Sequence, residues 1–206
     1  PQGGERQLIY AVTKRAINSS MLPADVGCVV DNVETIIHIY DAVVNGRPCI
    51  DRVVTVSGDG IAEPGNFKVP LGINQQELIK AAGGLKGAPE KVISGGPMMG
   101  FAMFTLDVPV TKTSSSILCL TKDEVAMYEP SACINCGRCI DACPRRLIPS
   151  RLADYAERHD EAAFEKEFGV ECMECGSCSY VCPAKRQLKQ AISSMRKTVL
   201  ANRKKK

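Results

Sequence analysis

The chain reads Cys133-Ile-Asn-Cys136-Gly-Arg-Cys139-Ile-Asp-Ala-Cys143-Pro144 at one point and Cys172-Met-Glu-Cys175-Gly-Ser-Cys178-Ser-Tyr-Val-Cys182-Pro183 further on. Both runs follow the C-x2-C-x2-C-x3-C-P spacing that is typical of bacterial ferredoxins with 4Fe-4S clusters. Three thiolates separated by two residues each can surround one face of a cubane, and a glycine after the second cysteine allows the backbone to approach it closely. The sequence therefore predicts two 4Fe-4S clusters.

The fourth cysteine of each run is expected to ligate the cluster of the other run. The predicted ligand sets are Cys133, Cys136, Cys139 and Cys182 for one cluster, and Cys172, Cys175, Cys178 and Cys143 for the other. Two neighbouring clusters are suited to passing single electrons in sequence. Basic residues beside these anionic centres would favour their reduced state. They are Arg138, Arg145, Arg146, Lys185 and Arg186.

The remaining cysteines limit the alternatives. The chain has 11 cysteines, and because most of them fall in the two runs, a dispersed disulfide framework is excluded. Four thiolates also suit structural zinc, so a zinc-stabilised scaffold without a redox role is an alternative. Zinc sites usually combine two separated C-x2-C pairs, so the spacing favours iron and sulfur. Cys28, Cys49 and Cys119 lie in or beside apolar segments, which predicts that they pack as small hydrophobic residues.

The segments around the two runs predict an α+β protein. Between the runs we expect a helix capped by Ser150 and another capped by Asp160, and a final amphipathic helix is expected after Pro183. Asn74 predicts the start of another helix, and Thr121 the start of a short one that ends before Pro130. A further helix is expected from Thr35 to Val44. Strands are expected near residues 26–30, 52–57, 67–70, 92–93, 101–106 and 117–120.

Composition excludes several classes of protein. Aromatic residues make up 5% of the chain and Trp is absent, which argues against stacking of nucleic-acid bases. No run of apolar residues is long enough for a transmembrane helix, and the start of the chain does not resemble a signal peptide. Residues 184–206 contain Lys and Arg but no Asp or Glu. This stretch is expected either to bind an anionic membrane surface or acidic partner, or to be a solvated tail.

Four further motifs accompany the cysteine runs. They are Pro-Gln-Gly-Gly-Glu at 1–5, Leu-Pro-Ala-Asp-Val-Gly at 22–27, Asp-Asn-Val-Glu-Thr at 31–35 and Gly-Gly-Pro-Met-Met-Gly at 95–100. With them, essentially the whole chain resembles the RnfC family of the Rnf electron transport complexes, beginning partway into that family's sequence. The resemblance implies three domains: the end of an FMN/NAD-binding α/β domain over 1–47, a small β-grasp-like SLBB domain over 48–112, and an α-helical ferredoxin domain over 113–206.

The resemblance extends to the NADH-binding flavin subunit of respiratory complex I, and it implies an FMN site. The implied FMN-binding residues are Gly3, Gly4, Glu5, Val30, Asp31, Asn32 and Thr35. A helix start of this kind can hold a flavin phosphate or ring edge with its free N–H groups. The alternative is an N-cap and a turn that hold no ligand. No catalytic side chain is predicted.

The family resemblance also implies a function. It implies a subunit of a membrane-associated, ion-translocating ferredoxin–NAD oxidoreductase, which relays single electrons between an FMN/NAD(H) site and ferredoxin-handling subunits. The expected partners are other Rnf-type subunits, including an iron–sulfur subunit that handles ferredoxin, with NAD(H) bound through the missing N-terminal part. The expected location is the cytoplasmic face of the cell membrane, as a peripheral protein. A cobalamin reductase of the propanediol-utilisation type shares this plan and is the alternative enzyme.

Overall fold

The computed structural model describes residues 4–203, which form two compact units. One contains residues 31–128 and is called the sheet unit; the other combines residues 1–30 with 129–206 and is called the helical unit. The helices are α1 (Glu5–Thr13), α2 (Val33–Val44), α3 (Gln75–Ala81), α4 (Arg138–Asp141), α5 (Pro149–Glu157), α6 (Glu161–Lys166), α7 (Ser177–Tyr180) and α8 (Leu188–Arg203). The strands are β1 (Asp51–Ser57), β2 (Gly65–Pro70), β3 (Lys91–Ser94), β4 (Phe101–Ala102) and β5 (Ser116–Leu120). No helix within residues 4–203 is long and apolar enough to cross a membrane.

The sheet unit is built on a mixed sheet with the strand order β2-β1-β5-β3-β4. β1 is antiparallel to β2 and parallel to β5. β3 is antiparallel to both β5 and β4. Alternate apolar residues of β1 and β5 point to one face, where α3 covers them. The buried core includes Val54, Val56, Ile61, Leu78, Ile117 and Cys119.

The sheet extends beyond the range expected for the SLBB domain. β5 lies after residue 112, yet it pairs with both β1 and β3 and is therefore the central strand. The helix α2, expected at the end of the preceding domain, falls in the sheet unit as well. The three domain ranges stay a prediction; the compact units of the structure divide the chain at different points.

Two of the predicted strands and one predicted helix differ in the structure. Residues 26–30 form no strand, because the chain makes a short 3-10 turn at Pro23–Val26 and then an irregular segment. The expected strand over 101–106 is only β4, since the chain then turns toward α3, where Val108 accepts a hydrogen bond from the backbone N–H of Gln75. Thr121 starts no helix, because its N–H and hydroxyl both donate to Asp59.

The helical unit repeats one pattern twice, with an offset of 39 residues from Cys133 to Cys172. In each copy a glycine with positive φ, Gly137 or Gly176, precedes a one-turn helix, α4 or α7. A longer helix, α5 or α8, then follows. Asn135 and Glu174 also share a positive φ, as do Arg146 and Lys185. The two cysteine runs therefore have the same backbone conformation.

The helices between and after the runs form one apolar core. α5 packs against α8, and both contact α6. Asp160 caps α6 as expected, since its carboxylate accepts from the N–H of Ala163. α5 begins at Pro149 and has Ile148 at its N-cap, so the expected cap at Ser150 is wrong. The buried residues are Leu147, Leu152, Ala153, Ala156, Phe164, Val170, Leu188, Ile192, Met195 and Val199.

Candidate iron–sulfur centres

Four cysteines line a small pocket of the helical unit, called the inner site. They are Cys143, Cys172, Cys175 and Cys178. Three come from the second run and one from the first. Leu147, Leu152 and Ile192 also line the pocket, so its wall is continuous with the apolar core. Cys175 is only 8% exposed.

The other four cysteines line a more open pocket, called the outer site. They are Cys133, Cys136, Cys139 and Cys182. Cys133 and Cys136 are exposed to solvent, and Ile134 between them is 64% exposed. The two pockets thus collect the same two sets of four cysteines as the crossed ligand rule, and one site is buried while the other opens to the surface. That these thiols bind iron stays a prediction.

Burial at the inner site keeps the thiols neutral unless positive charge is bound there. Burial raises the pKa of the Cys178 thiol to about 12, and the neighbouring Cys172 adds to the shift. Burial likewise raises the pKa of Cys172, although the N–H of Glu174 partly opposes it. Several thiolates can share such a pocket only if positive charge compensates them, as iron does in a cluster.

Backbone N–H groups already point to sulfur at the inner site. Leu147 donates to Cys143 Sγ and Glu174 donates to Cys172 Sγ, each over 3.4 Å. Hydrogen bonds of this type stabilise thiolate ligands and raise cluster potentials. Within residues 4–203 no group of three or more His, Cys, Asp or Glu side chains has the spacing of a site for a metal ion. The support for a cluster is therefore the set of four thiols at each pocket and, at the inner site, these two N–H donors, which fit a cluster chemically.

Arginine side chains flank both sites and are held by carboxylates. Arg186 lines the outer site and donates to Asp154 over 2.8 Å and to Glu157 over 3.0 Å. Burial opposes the charge of Arg186, but these hydrogen bonds outweigh it and raise its pKa. Arg145 lines the inner site and donates to Glu171 over 2.9 Å. Of the basic residues expected beside the clusters, Arg145 and Arg186 thus line the two pockets, whereas Arg138, Arg146 and Lys185 line neither.

Glu171, which directly precedes Cys172, joins the inner site to the N-terminal segment. Its carboxylate accepts from Arg6 over 3.2 Å, from Arg145 over 2.9 Å and from the N–H of Ser19 over 2.9 Å. Burial would raise its pKa, but the hydrogen bonds from Ser19 and the charge of Arg145 lower it. Gln7 of α1 donates to the carbonyl of Pro144, beside Cys143. Sequence reasoning missed Glu171 and Gln7, because neither belongs to a motif and their partners Arg6, Ser19 and Pro144 are more than 100 residues away.

The predicted FMN-binding residues lie in both units. Gly4 is the N-cap of α1 and Glu5 its first residue, while Gly3 is outside the described residues. Val30 belongs to the helical unit, whereas Asp31, Asn32 and Thr35 belong to the sheet unit. Asn32 caps α2 by accepting from the N–H of Glu34 over 2.9 Å. This cap is the ligand-free role that the sequence left open, and FMN binding stays a prediction.

Of the three isolated cysteines, only Cys119 is buried within the described residues. Burial raises the pKa of its thiol. Cys28 and Cys49 are half-buried. The expectation of a packing role is therefore met in full at Cys119 alone.

Comparisons with protein families match three segments of the chain. Residues 1–41 match a Nuo51 FMN-binding domain, residues 53–102 an SLBB domain, and residues 132–186 a 4Fe-4S dicluster domain. The third match covers both cysteine runs and specifies two 4Fe-4S clusters. Together with the fold, these matches define an iron–sulfur protein of the dicluster class that also carries an SLBB sheet domain.

Comparison with individual related proteins assigns the chain to a family within this class. The chain is 44% identical over 205 residues to the C subunit of the Na(+)-translocating ferredoxin:NAD(+) oxidoreductase complex of Acetobacterium woodii, covering 100% of this chain and 46% of that protein. It is 49% identical over 170 residues to the proton-translocating counterpart of Clostridium ljungdahlii, covering 82% of this chain and 37% of that protein. It is 39% identical over 165 residues to the C subunit of the ion-translocating oxidoreductase complex of Yersinia enterocolitica, covering 79% of this chain and 24% of that protein.

The chain belongs to the family of these subunits, the RnfC family. It spans less than half the length of the relatives it matches.

Proposed function

We propose that this chain is the electron-relaying part of a subunit of an ion-translocating ferredoxin–NAD oxidoreductase. The observation that carries the proposal is the grouping of eight cysteines around two pockets, within a segment that matches a dicluster domain. Bound at these pockets, 4Fe-4S clusters would supply two one-electron carriers. The chain's own residues hold the thiols, exclude water from the inner site and keep the outer site open to solvent.

We infer an order for the two sites. The inner site adjoins α1, because Gln7 contacts Pro144 and Arg6 contacts Glu171. α1 begins at Gly4 and Glu5, two of the residues implied in FMN binding. The outer site has the exposed cysteines. This arrangement supports a path in which the inner site exchanges electrons with the flavin and the outer site exchanges them with a partner protein.

Metal and sulfide analysis tests the presence of the clusters. The purified, oxygen-protected complete subunit is expected to contain about eight iron and eight sulfide per chain, because each cubane contains about four of each. About four iron per chain, or stoichiometric zinc in a colourless and EPR-silent sample, would contradict the proposal and favour the zinc-stabilised scaffold. The match to a 4Fe-4S domain supports iron over zinc.

A pair of variants tests the order of the sites. Cys136→Ser alters the outer site and Cys175→Ser the inner site, at equivalent positions of the two runs. In the complete subunit, NADH is expected to reduce the remaining cluster of Cys136→Ser, whereas the remaining cluster of Cys175→Ser should be reduced slowly or not at all. Freeze-quench EPR measures both. Equal reduction rates in the two variants would reject the order.

FMN and NAD(H) binding are proposed for the complete subunit. The match of residues 1–41 to a flavin-binding domain supports this assignment. Asn32→Asp keeps an oxygen that can cap α2 but adds a negative charge, so it should weaken FMN binding without loss of helix. Asn66→Asp is the control for the added charge, since Asn66 Oδ1 accepts from the Thr55 hydroxyl, which a carboxylate can also do, and Asn66 is not among the implied FMN-binding residues. Fluorescence titration with FMN measures the difference, and equal affinity in both variants would leave Asn32 as a cap alone.

The relatives' names, as subunits of ion-translocating complexes, support the following proposal for partners and location. We propose that the protein works with other Rnf-type subunits, including an iron–sulfur subunit that handles ferredoxin, as a peripheral protein at the cytoplasmic face of the membrane. Copurification with those subunits from solubilised membranes tests this. A cobalamin reductase remains the second candidate, and the relatives above, named as ferredoxin:NAD(+) oxidoreductase subunits, favour the first. Reduction of cob(II)alamin by the complete subunit would favour the second.

A further inference from the structure

Arg145, an arginine that lines the inner site, has one buried N–H group without a hydrogen-bond partner. It follows Cys143-Pro144 directly and lines the pocket. Its Nη1 donates to the carbonyl of Ile17 over 3.3 Å and its Nη2 to Glu171 over 2.9 Å. Among the described residues, its Nε is one of five buried side-chain N or O atoms with no hydrogen-bond partner.

A buried N–H group without an acceptor is energetically unfavourable, so an acceptor is expected near the Nε of Arg145. The groups that share the pocket with Arg145 are apolar side chains, Glu174, Lys189 and the four cysteines. Glu174 is already paired with Arg196 over 3.0 Å. Gln7 Oε1 is also buried without a partner, but Gln7 does not line the pocket. Among the side chains that line the pocket, the sulfur atoms are then the acceptors that remain, and they become strong ones when they carry the negative charge of a cluster.

The surrounding contacts hold Arg145 in place. Glu171 accepts from Arg145, Arg6 and the N–H of Ser19 at once, so three segments converge on one carboxylate. Because Glu171 precedes Cys172 and Arg145 follows Cys143, the pair also ties together the two ligand loops that meet at the inner site. Arg145 is 21% exposed and Glu171 17%, so water screens the pair only in part.

The second copy of the repeat has no counterpart of this group. With the offset of 39 residues, the equivalent of Arg145 is Ala184, which is 5% exposed and has no side-chain donor. The outer site, which Ala184 lines, has Arg186 instead, and Arg186 is paired with Asp154 and Glu157. The two sites therefore differ in one buried N–H donor.

We propose that Arg145 is a positioning residue of the inner site, whose Nε–H donates to a sulfur of the bound cluster and thereby raises that cluster's reduction potential above the value it would otherwise have. A donor and a positive charge beside the cluster both stabilise its reduced, more negative form. The proposal rests on the proposed function, since it requires a cluster at the inner site.

Redox titration monitored by EPR tests the proposal in the complete subunit. Arg145→Lys keeps the charge but removes the Nε donor, and Arg145→Gln also removes the charge. At a fixed applied potential, Arg145→Lys should lower the reduced-to-oxidised ratio of one cluster about tenfold, which corresponds to about 59 mV for one electron. Arg145→Gln should lower it further. The Cys175→Ser variant identifies which EPR signal belongs to the inner site.

Arg203→Lys is the control. Arg203 lies at the end of α8, donates from its Nε to Glu165 over 2.9 Å, and neither it nor Glu165 lines a pocket. This variant should leave both potentials unchanged. A loss of reduced signal equal to that of Arg145→Lys would overturn the specific role of Arg145.

The outcomes separate this proposal from the function on which it rests. A wild-type subunit with about four iron per chain, or with zinc, rejects the proposed function itself. Full iron content with unchanged potentials in Arg145→Lys overturns the proposal alone. If Arg145→Lys fails to retain iron, Glu171→Gln becomes the test, because it keeps Arg145 and weakens its anchor. It must lower the potential of the inner-site cluster, because loss of the Glu171 charge alone would raise it, and an unchanged or raised potential overturns the proposal.

Discussion

At Gly169 the helical unit depends on the absence of a side chain. A Cβ built there would lie 2.3 Å from the ring of Phe164, which is fully buried. The short 3-10 turn Gly169–Glu171 then leads directly to Cys172. The position of this glycine therefore couples the apolar core to the start of the second cysteine run.

Gly169→Ala is expected to destabilise the helical unit by about 1–3 kcal/mol, since overpacking forces a buried ring from its position. Urea unfolding of the complete protein, followed by circular dichroism, measures the change. Gly87→Ala is the control, because nothing lies within 4 Å of a Cβ at Gly87. Equal stabilities of the two variants would show that Phe164 can move without cost.

Asp123 illustrates a pH-dependent contact of the sheet unit. Lys91 Nζ lies 2.7 and 2.8 Å from its two carboxylate oxygens, and this hydrogen bond is the main cause of its lowered pKa. A carboxyl group whose folded-state pKa is depressed stabilises the fold above its unfolded-state pKa, near 3.8. The stabilisation is lost as the pH falls through the lower, folded-state pKa.

Asp123→Asn is therefore expected to cost about 1 kcal/mol at pH 7 and almost nothing below the folded-state pKa of Asp123. Hydrogen exchange of peptides that cover β3 and β5, corrected for intrinsic rates, measures the local free energy of opening at both pH values. Asp51→Asn is the control, because its partner Lys68 is 69% exposed, and its effect should be smaller. A cost for Asp123→Asn that does not change with pH would refute the ion-pair explanation.

Helix α8 is the element that joins the second cysteine run to the core. Ile192 is 1% exposed and lines the inner site, whereas Ser194, two residues on, is exposed. Shortening the side chain of Ile192 to that of alanine leaves a cavity beside the cysteines. We expect Ile192→Ala to lower stability by about 2–5 kcal/mol and to reduce iron retention, while Ser194→Ala should leave both near the wild-type values. Thermal unfolding and iron analysis test this, and normal iron retention in Ile192→Ala would contradict it.

Elements set by local chemistry were predictable from the sequence. Asn74 and Asp160 cap the expected helices, because an N-cap needs only a side-chain oxygen and the next turn. Elements that depend on contacts with distant residues were not predictable in this way. Thr121 has the pattern of a cap, but Asp59, 62 residues away, binds its N–H and hydroxyl.

The same distinction applies to the candidate sites. Cysteine spacing is a local property, and it predicted both sets of four cysteines that the pockets collect. The difference in burial between the inner and outer sites depends on how α5 and α8 pack, which no spacing specifies. The roles of Arg145 and Glu171 also require the fold, because their partners include Ile17 and Arg6 at the far end of the chain.

At the scale of the whole molecule, the unequal exposure of the two sites predicts unequal loss of iron. Cys133 and Cys136 are exposed, while Cys175 is buried in the wall of the inner site. A chelator under mild oxidation should therefore remove iron in two phases, with about half released in the faster one, because each cubane contains about four of the eight iron. Colorimetric iron release, with EPR of the remaining cluster, measures the phases.

Cys136→Ser provides the control for iron release. It alters the outer site, so the faster phase should be absent or strongly reduced, and the slower phase should remain. Release from the wild-type protein in a single phase would mean that the two clusters open together, and it would contradict protection of the inner site by the core.

The crossed grouping of cysteines has a consequence for how the protein is made. With the proposed ligand sets, the outer site takes Cys133 from the start of the first run and Cys182 from the end of the second. The inner site needs Cys143 and most of the second run. While the chain is still on the ribosome, neither run can complete a site by itself. Insertion of either cluster must then wait until the second run emerges, and a chain that terminates before Cys178 lacks a ligand of both sites.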